Sequence, residues 1–181
     1  MIPFLVGEHV YLRQLVAEDA DGWYPTWFND AEVCKANSHG VYPYNSQQAR
    51  EYIEWTHRAA AARTDLVLAV CTNSQDYHIG NVAITNIHPV YRSADFSIII
   101  GRAEARGNGI GTEAARLIIG HGFNSLNLHR IACGTFDNNT GMMKLAGRLG
   151  MKQEGIRKEA VYKNGAWLSV VEYGILREEW K

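Results

Sequence analysis

Apolar positions along the chain recur with two periods, and the switches between them mark out the elements. His9-Val10-Tyr11-Leu12-Arg13-Gln14-Leu15 alternates and predicts a first strand. Glu18 to Asn29, carrying Trp23, Tyr24, Trp27 and Phe28, reads as a short helix. Asp30 to Asn45 is rich in Gly, Pro, Asn and aromatics and reads as a functional loop or lid. Asn45 and Ser46 open a second helix, with Ala49, Tyr52, Ile53 and Thr56 on one face and the Ala59–Ala62 run continuing it. Leu66 to Thr72 and His78 to Ile84 are strand-like, separated by the turn-rich Asn73-Ser74-Gln75-Asp76. Ala94 to Ile100 is a central strand that ends in three isoleucines. A glycine-rich turn, Arg106-Gly107-Asn108-Gly109-Ile110-Gly111, runs from there into a helix whose Ile110, Ala114, Leu117, Ile118 and His121 share a face. A strand from His129 to Phe136, a short helix from Asn138 to Leu149, and closing strands near Gln153–Tyr162 and Trp167–Leu176 complete the pattern. Strands and helices mix without strict alternation, which predicts an α/β or α+β fold around a mixed sheet.

With 181 residues and no internal repeat, low-complexity tract or linker, the expectation is one domain over 1–181, large enough to bury its own core. A formal charge of −1 gives no electrostatic footprint for nucleic acid. Cys34, Cys71 and Cys133 are odd in number and far apart, so neither a disulfide framework nor a zinc knuckle is expected. The opening Met1-Ile2-Pro3-Phe4-Leu5-Val6 lacks the basic segment of a signal peptide, and no run approaches the ~20 apolar residues that span a bilayer. The expectation is a cytoplasmic protein that does not engage a membrane.

Strand, glycine turn and helix together present free backbone N–H groups to a phosphate, with the helix N-terminus adding partial positive charge. A dinucleotide-binding G-x-G-x-x-G starting at Gly107 would need glycine where Thr112 stands. A P-loop needs Lys-Ser/Thr after its last glycine, and Gly111 is followed by Thr112-Glu113. The pattern that fits is Q/R-x-x-G-x-G/A, filled by Arg106, Gly109 and Gly111; a purely structural glycine turn remains the alternative on this hexapeptide alone.

From Ala94 to Trp180 the order of features resembles the GNAT N-acetyltransferase superfamily, most closely the branch of ribosomal-protein and spermidine acetyltransferases. Ala94-Asp95-Phe96-Ser97-Ile98-Ile99-Ile100-Gly101, Leu126-Asn127-Leu128-His129-Arg130-Ile131, Asn138-Asn139 and Arg148-Leu149-Gly150-Met151-Lys152-Gln153-Glu154-Gly155 carry the resemblance. Phe4-Leu5-Val6-Gly7-Glu8 to Leu12-Arg13 and Trp27-Phe28-Asn29-Asp30 add a less specific match. The resemblance implies a mixed, mostly antiparallel sheet of about seven strands flanked by about four helices. Such a sheet splays between its fourth and fifth strands, here the Ala94–Ile100 and His129–Phe136 segments. It implies acetyl-CoA as co-substrate, without a metal, held at Arg106, Gly107, Asn108, Gly109, Ile110, Gly111 and Thr112. Backbone N–H groups around Ile98, Ile99 and Ile100 would polarise the thioester carbonyl, and the Asn139 side chain would bond the pantetheine arm. Asn139 equally reads as a helix N-cap.

Aminolysis of a thioester needs a neutral amine, and an alkyl ammonium of pKa ~10.4 asks for more deprotonation than an α-amino group near ~7.7–8.0. Asp95 stands where the branch carries Glu; being one methylene shorter, it suits a base acting through water, and it also reads as a strand-edge charge. Many relatives place a proton-donating Tyr seven residues after the Asn, or a Ser three residues after it. Here those positions are Ala146 and Met142, so no general acid is visible. His121, His129, Arg130 and Cys133 read as structural. For the acceptor, Asn37-Ser38-His39-Gly40-Val41-Tyr42-Pro43-Tyr44 offers aromatic and neutral polar groups, with His39, Tyr42 and Tyr44 as candidate contacts. That composition favours a small-molecule amine such as an amino sugar or its nucleotide, then a protein N-terminus. Asp30, Glu32, Glu51 and Glu54 keep a polyamine open. A non-catalytic acetyl-CoA sensor is the rival reading. Trp167 and Trp180 suggest pairing with a second copy, the alternative being that the tail packs on its own sheet.

Overall fold

The computed structural model describes residues 2–181. Its centre is one eight-stranded sheet in the order β1-β2-β3-β4-β5-β6-β8-β7. The strands are β1 (Leu5–Val6), β2 (Val10–Gln14), β3 (Leu66–Thr72), β4 (His78–His88), β5 (Ser93–Ile100), β6 (Arg130–Phe136), β7 (Lys152–Lys163) and β8 (Ala166–Leu176). The helices are α1 (Ala31–Cys34), α2 (Ser46–Ala62), α3 (Ile110–Asn124) and α4 (Thr140–Arg148). The strand beyond the expected seven is β1, too short to show as alternation, which pairs on the edge of β2.

Every pairing is antiparallel except β5 with β6. That parallel contact covers only Ser93–Asp95 against Arg130–Ala132. Beyond it β5 continues to Ile100 paired with β4 alone, while β6 continues to Phe136 paired with β8 alone. The sheet therefore opens a wedge between Phe96–Ile100 and Cys133–Phe136, and the β5 edge facing it is left unpaired among the described residues. This is the splay that the sequence resemblance implied, at the same two segments.

Alternation along the central strands sorts side chains onto two faces. Val82, Ile84, Ala94, Phe96 and Ile131 pack against Ala114, Ala115, Ile118, Ile119 and Phe123 of α3, with Ala146 of α4 joining them. Val67, Ala69, Cys71 and Ala83 pack the other way, onto Ala49 and Ile53 of α2 and onto Tyr24, Trp27 and Phe28. Asn45 and Gln48 close a reciprocal capping box that starts α2.

The helix expected over Glu18–Asn29 is instead two single 3-10 turns, Ala17–Asp21 and Tyr24–Phe28. Gly22 between them is extended, and Pro25 has no N–H for an α-type bond. Asp19 is drawn into the protein, where Arg13 grips both its oxygens at 2.7 and 2.8 Å and His78 adds a contact at 3.2 Å. Among the described residues no helix is long and apolar enough to cross a membrane.

Candidate active site

On the α3 face, the glycine turn lies where the sequence placed it. Gly107 and Gly109 have φ of +81° and +90°, the left-handed region that side chains resist, and Gly109 is the residue from which α3 starts. A Cβ on either would meet nothing within 4 Å, so the constraint is the sign of the backbone angle rather than space. Gly111 is different: its φ is ordinary and a Cβ would make normal contact with Ile100 at 3.7 Å. Thr112 and Glu113 N–H groups bond the Gly109 carbonyl, whereas the Ile110 N–H takes the Asn108 side-chain oxygen at 3.3 Å. That amide oxygen lies at the positive end of the helix, a place that favours an oxygen carrying negative charge. The Arg106 guanidinium bonds the carbonyls of Ile100 and Gly101, both at 3.0 Å, and so fastens the turn to the end of β5.

A depression of about 640 Å³ adjoins the turn, lined by Asn108, Gly109, Ile110 and Thr112 together with His9, Arg116 and Arg148. Arg116 and Arg148 are its cations, set against the carboxylates Glu8 and Glu113 in the same wall. Glu113 is engaged by the His9 N–H at 2.9 Å and the His9 ring at 3.1 Å. Partial burial works to raise its pKa, but these bonds outweigh burial and hold the carboxylate below its usual range.

The wedge carries the next set of candidates. Ile98 and Ile100 turn their side chains to the α3 face and Ile99 to the other. Successive strand N–H groups point to opposite edges, so these three residues divide theirs between β4 and the wedge. Asp95 is exposed and accepts a hydrogen bond from Asn86 at 2.8 Å. It shares a face with Ile99, four residues along, a separation of roughly 13 Å at about 3.3 Å per residue. Asn139 caps α4: its oxygen takes the Met142 N–H, and its amide donates to the Ala36 carbonyl, both at 3.0 Å. Ala146 is fully buried and Met142 packs against the same core.

On the opposite face the loop between α1 and α2 closes over Phe28. The His39 and Tyr44 rings meet Phe28 at 4.6 and 4.7 Å, and Asn29 bonds the Tyr44 backbone twice. Tyr42 is not part of this cluster: it is 82 % exposed. Sequence reading missed what holds the loop. Lys163, only 8 % exposed at the end of β7, donates to the carbonyls of Asn37 (2.6 Å) and His39. The signal was the Asn164-Gly165 pair after it, whose φ of 52° and 83° makes the tight hairpin that sets Lys163 beneath the loop. His39 keeps part of its surface in solvent, and loss of water on its packed side, followed by the Lys163 charge, lowers its pKa.

The discounted residues stay outside this arrangement. His121 packs edge-on against Phe4, and Arg130 is paired with Glu154. Burial pushes the Cys133 thiol up to about 12, which makes it an inert core group. Trp180 packs near Phe123 of α3, with the Arg116 guanidinium over its ring, while Trp167 is exposed beside Tyr162. Among the described residues no cluster of His, Cys, Asp and Glu could hold a metal ion.

Comparison with known proteins gives a consistent result. Residues 9–152 match the model of the acetyltransferase (GNAT) domain. An uncharacterized N-acetyltransferase of Bacillus subtilis, YnaD, is 35 % identical over 177 residues, 97 % of this chain and 98 % of that protein. A putative ribosomal N-acetyltransferase of the same organism, YdaF, is 31 % identical over 102 residues, 56 % of this chain and 55 % of its own. Among solved structures, a probable acetyltransferase superposes with a TM-score of 0.88 at 26 % identity over 99 % of both chains. The Vibrio cholerae spermidine N-acetyltransferase, solved with CoA and spermine, superposes with a TM-score of 0.82 at 23 % identity over 94 % of this chain and 97 % of that one.

Proposed function

The chain belongs to the GNAT acetyltransferase family, and from that premise we propose that it transfers an acetyl group from acetyl-CoA to the primary amine of a small molecule, an amino sugar or its nucleotide being the favoured class. The observation that carries this reading is the pairing of an anion-ready helix terminus with an open wedge at the end of the adjoining strand. The Gly107–Thr112 turn receives the pyrophosphate, Asn108 giving up its bond to the Ile110 N–H. The thioester lies in the wedge, where a β5 N–H in the Ile98–Ile100 segment stabilises the oxyanion. The acceptor enters from the His39 and Tyr44 side. Its neutral nitrogen attacks the carbonyl carbon, the C–N bond forms, and the C–S bond breaks to release CoA thiolate. Asp95, roughly 13 Å along the strand from Ile99, takes the proton the amine loses through a chain of waters. A thiol of pKa ~8.5 leaves without a dedicated acid, in keeping with the apolar Ala146 and Met142 positions.

Neutral aromatic groups around the loop support a neutral acceptor over a polyamine, for which several carboxylates would have to converge. A protein N-terminus is the next class, supported by the relative named for ribosomal acetylation. Ala146 and Met142 favour a second reading, an acetyl-CoA sensor without turnover. An assay of free CoA thiol across a panel of amines separates the two: amine-dependent release supports the enzyme, and tight acetyl-CoA binding with no release from any amine supports the sensor. A homodimer through the exposed Tyr162–Trp167 pair belongs to the same proposal, and sedimentation showing only monomer at micromolar concentration would remove it.

A further inference from the structure

One buried polar group on the acceptor face has no role in the chemistry above. Tyr24 is 1 % exposed, and its hydroxyl has no hydrogen-bond partner among the described residues. Its ring is held by Trp27 and His78, both at 5.6 Å, and Phe28 at 5.3 Å, which fixes where the hydroxyl oxygen lies. Its nearest polar groups are the Tyr44 hydroxyl and the Asn81 side chain, close enough for weak polar contact but not at ordinary hydrogen-bond geometry, with Tyr52 nearby. Asn81 is itself buried and pairs in register with Ile99, which puts the Tyr24 hydroxyl one strand away from the wedge, beneath the acceptor loop. Buried polar atoms nearly always have a partner, and an orphan costs stability. Tyr44, the group above it, is tied to Asn29 through its backbone and rests its ring on Phe28 at 4.7 Å, so uncovering the Tyr24 hydroxyl means rotating that ring off Phe28 while its backbone stays in place.

We propose that Tyr24 is a specificity-determining residue whose hydroxyl hydrogen-bonds a neutral polar group of the acceptor, such as a ring hydroxyl beside the amine, once the Tyr44 ring turns aside. This rests on the reading of this face as the acceptor site. The surroundings agree with a neutral partner. Burial raises the Tyr24 phenol far above its ordinary value and the Tyr52 phenol up to about 12, so the hydroxyls themselves stay neutral near pH 7; the carboxylates that act on the cluster, Glu51 on Tyr44 and Asp65 on Tyr52, do not act on Tyr24. A hydroxyl can both donate to and accept from a phenol, and leaving a site's hydrogen-bonding group unpaired is the strongest way to reject an analogue that lacks its partner.

The test compares wild type with Tyr24→Phe on two probes, glucosamine and cyclohexylamine, which share a primary amine on a six-membered ring and differ in hydroxyls. The ratio of kcat/KM for glucosamine to that for cyclohexylamine should fall about tenfold in the variant, mostly through the glucosamine KM. Thermal unfolding without acceptor should give a Tm equal to or above wild type, because the variant removes an unpaired group. An unchanged ratio or a lowered Tm overturns the proposal, since a hydroxyl that serves the fold would show the second. If wild type turns over neither amine, the amino-sugar reading fails on its own account and the Tm comparison still decides Tyr24.

Discussion

The two faces of the sheet are built to recognise by different means. On the α3 face, contact with a ligand is offered by backbone: two glycines at positive φ, the first N–H groups of a helix, and an arginine that fastens the turn to β5 instead of reaching outward. On the loop face, contact is offered by side chains gathered from distant places, with His39 and Tyr44 on Phe28 and Lys163 beneath. A backbone cradle tolerates sequence change everywhere except where its angles are set. A side-chain cluster can be re-aimed by any one substitution. The first design suits a co-substrate common to a whole family, and the second suits an acceptor that differs among its members.

The sharpest way to break this contrast is Asp95→Asn. If one carboxylate carries deprotonation on the loop side, the variant should keep acetyl-CoA affinity and lose a factor of ~10²–10⁴ in transfer. The loss should shrink as pH rises, because more acceptor is already neutral, and should be smaller for an amine of pKa near 8 than near 10. Rates against pH for two such amines measure this. Full activity would make Asp95 a partner of Asn86 and no more; an equal loss at every pH would mean misplaced substrate. The next effect falls on the other face. Gly109→Val forces a β-branched residue to φ near +90°, a strain of about 1–3 kcal/mol that moves the start of α3. Acetyl-CoA affinity by calorimetry should drop roughly 10- to 100-fold. Gly111→Ala, where a Cβ meets only ordinary contacts, should bind nearly as wild type. Equal losses in the two variants would show that the turn works through space and not through backbone angle.

The same contrast explains how much was legible in the sequence. The glycine turn, the α3 face and the Asn139 cap are local in the chain, and spacing of a few residues displayed each of them; the splay joins segments more than thirty residues apart and was implied only by the family resemblance. The Glu18–Asn29 segment misled because its aromatics have helical spacing while Gly22, Pro25 and the pull of Arg13 on Asp19 dictate 3-10 turns. On the loop side, Tyr42 looked equivalent to His39 and Tyr44, yet Phe28 gathers only the latter two. Lys163 lies more than a hundred residues from the carbonyls it bonds; Asn164-Gly165 marks the hairpin beside it but not the partners it is buried against. Contacts of that range are fixed by tertiary packing alone, so no local pattern could display them.

Lys163 supplies the smallest and most specific test. Lys163→Met keeps the aliphatic stem but leaves the Asn37 and His39 carbonyls without their donor, a destabilisation of about 1–3 kcal/mol measurable by denaturant unfolding. Acceptor KM should rise several-fold, on the order of the same bond energy, while acetyl-CoA KM should not move, because the clamp touches only the loop face. His39 adds a second readout with a definite sign. Loss of water on the side packed against Phe28 chiefly, and the Lys163 charge in addition, lower its folded pKa beneath the ordinary value of about 6.5 although the residue is partly exposed. The unfolded chain thus binds the proton first, so the stability that neutral His39 contributes is complete above about pH 6.5 and is lost as pH falls through the lowered folded value. Removing the charge leaves only the burial contribution. In Lys163→Met the His39 ring, followed by NMR, should titrate closer to 6.5, and stability should fall less steeply with acid. A His39 titration identical to wild type would mean that the ammonium does not face the loop, and the acceptor side would then owe its shape to Phe28 and Asn29 alone.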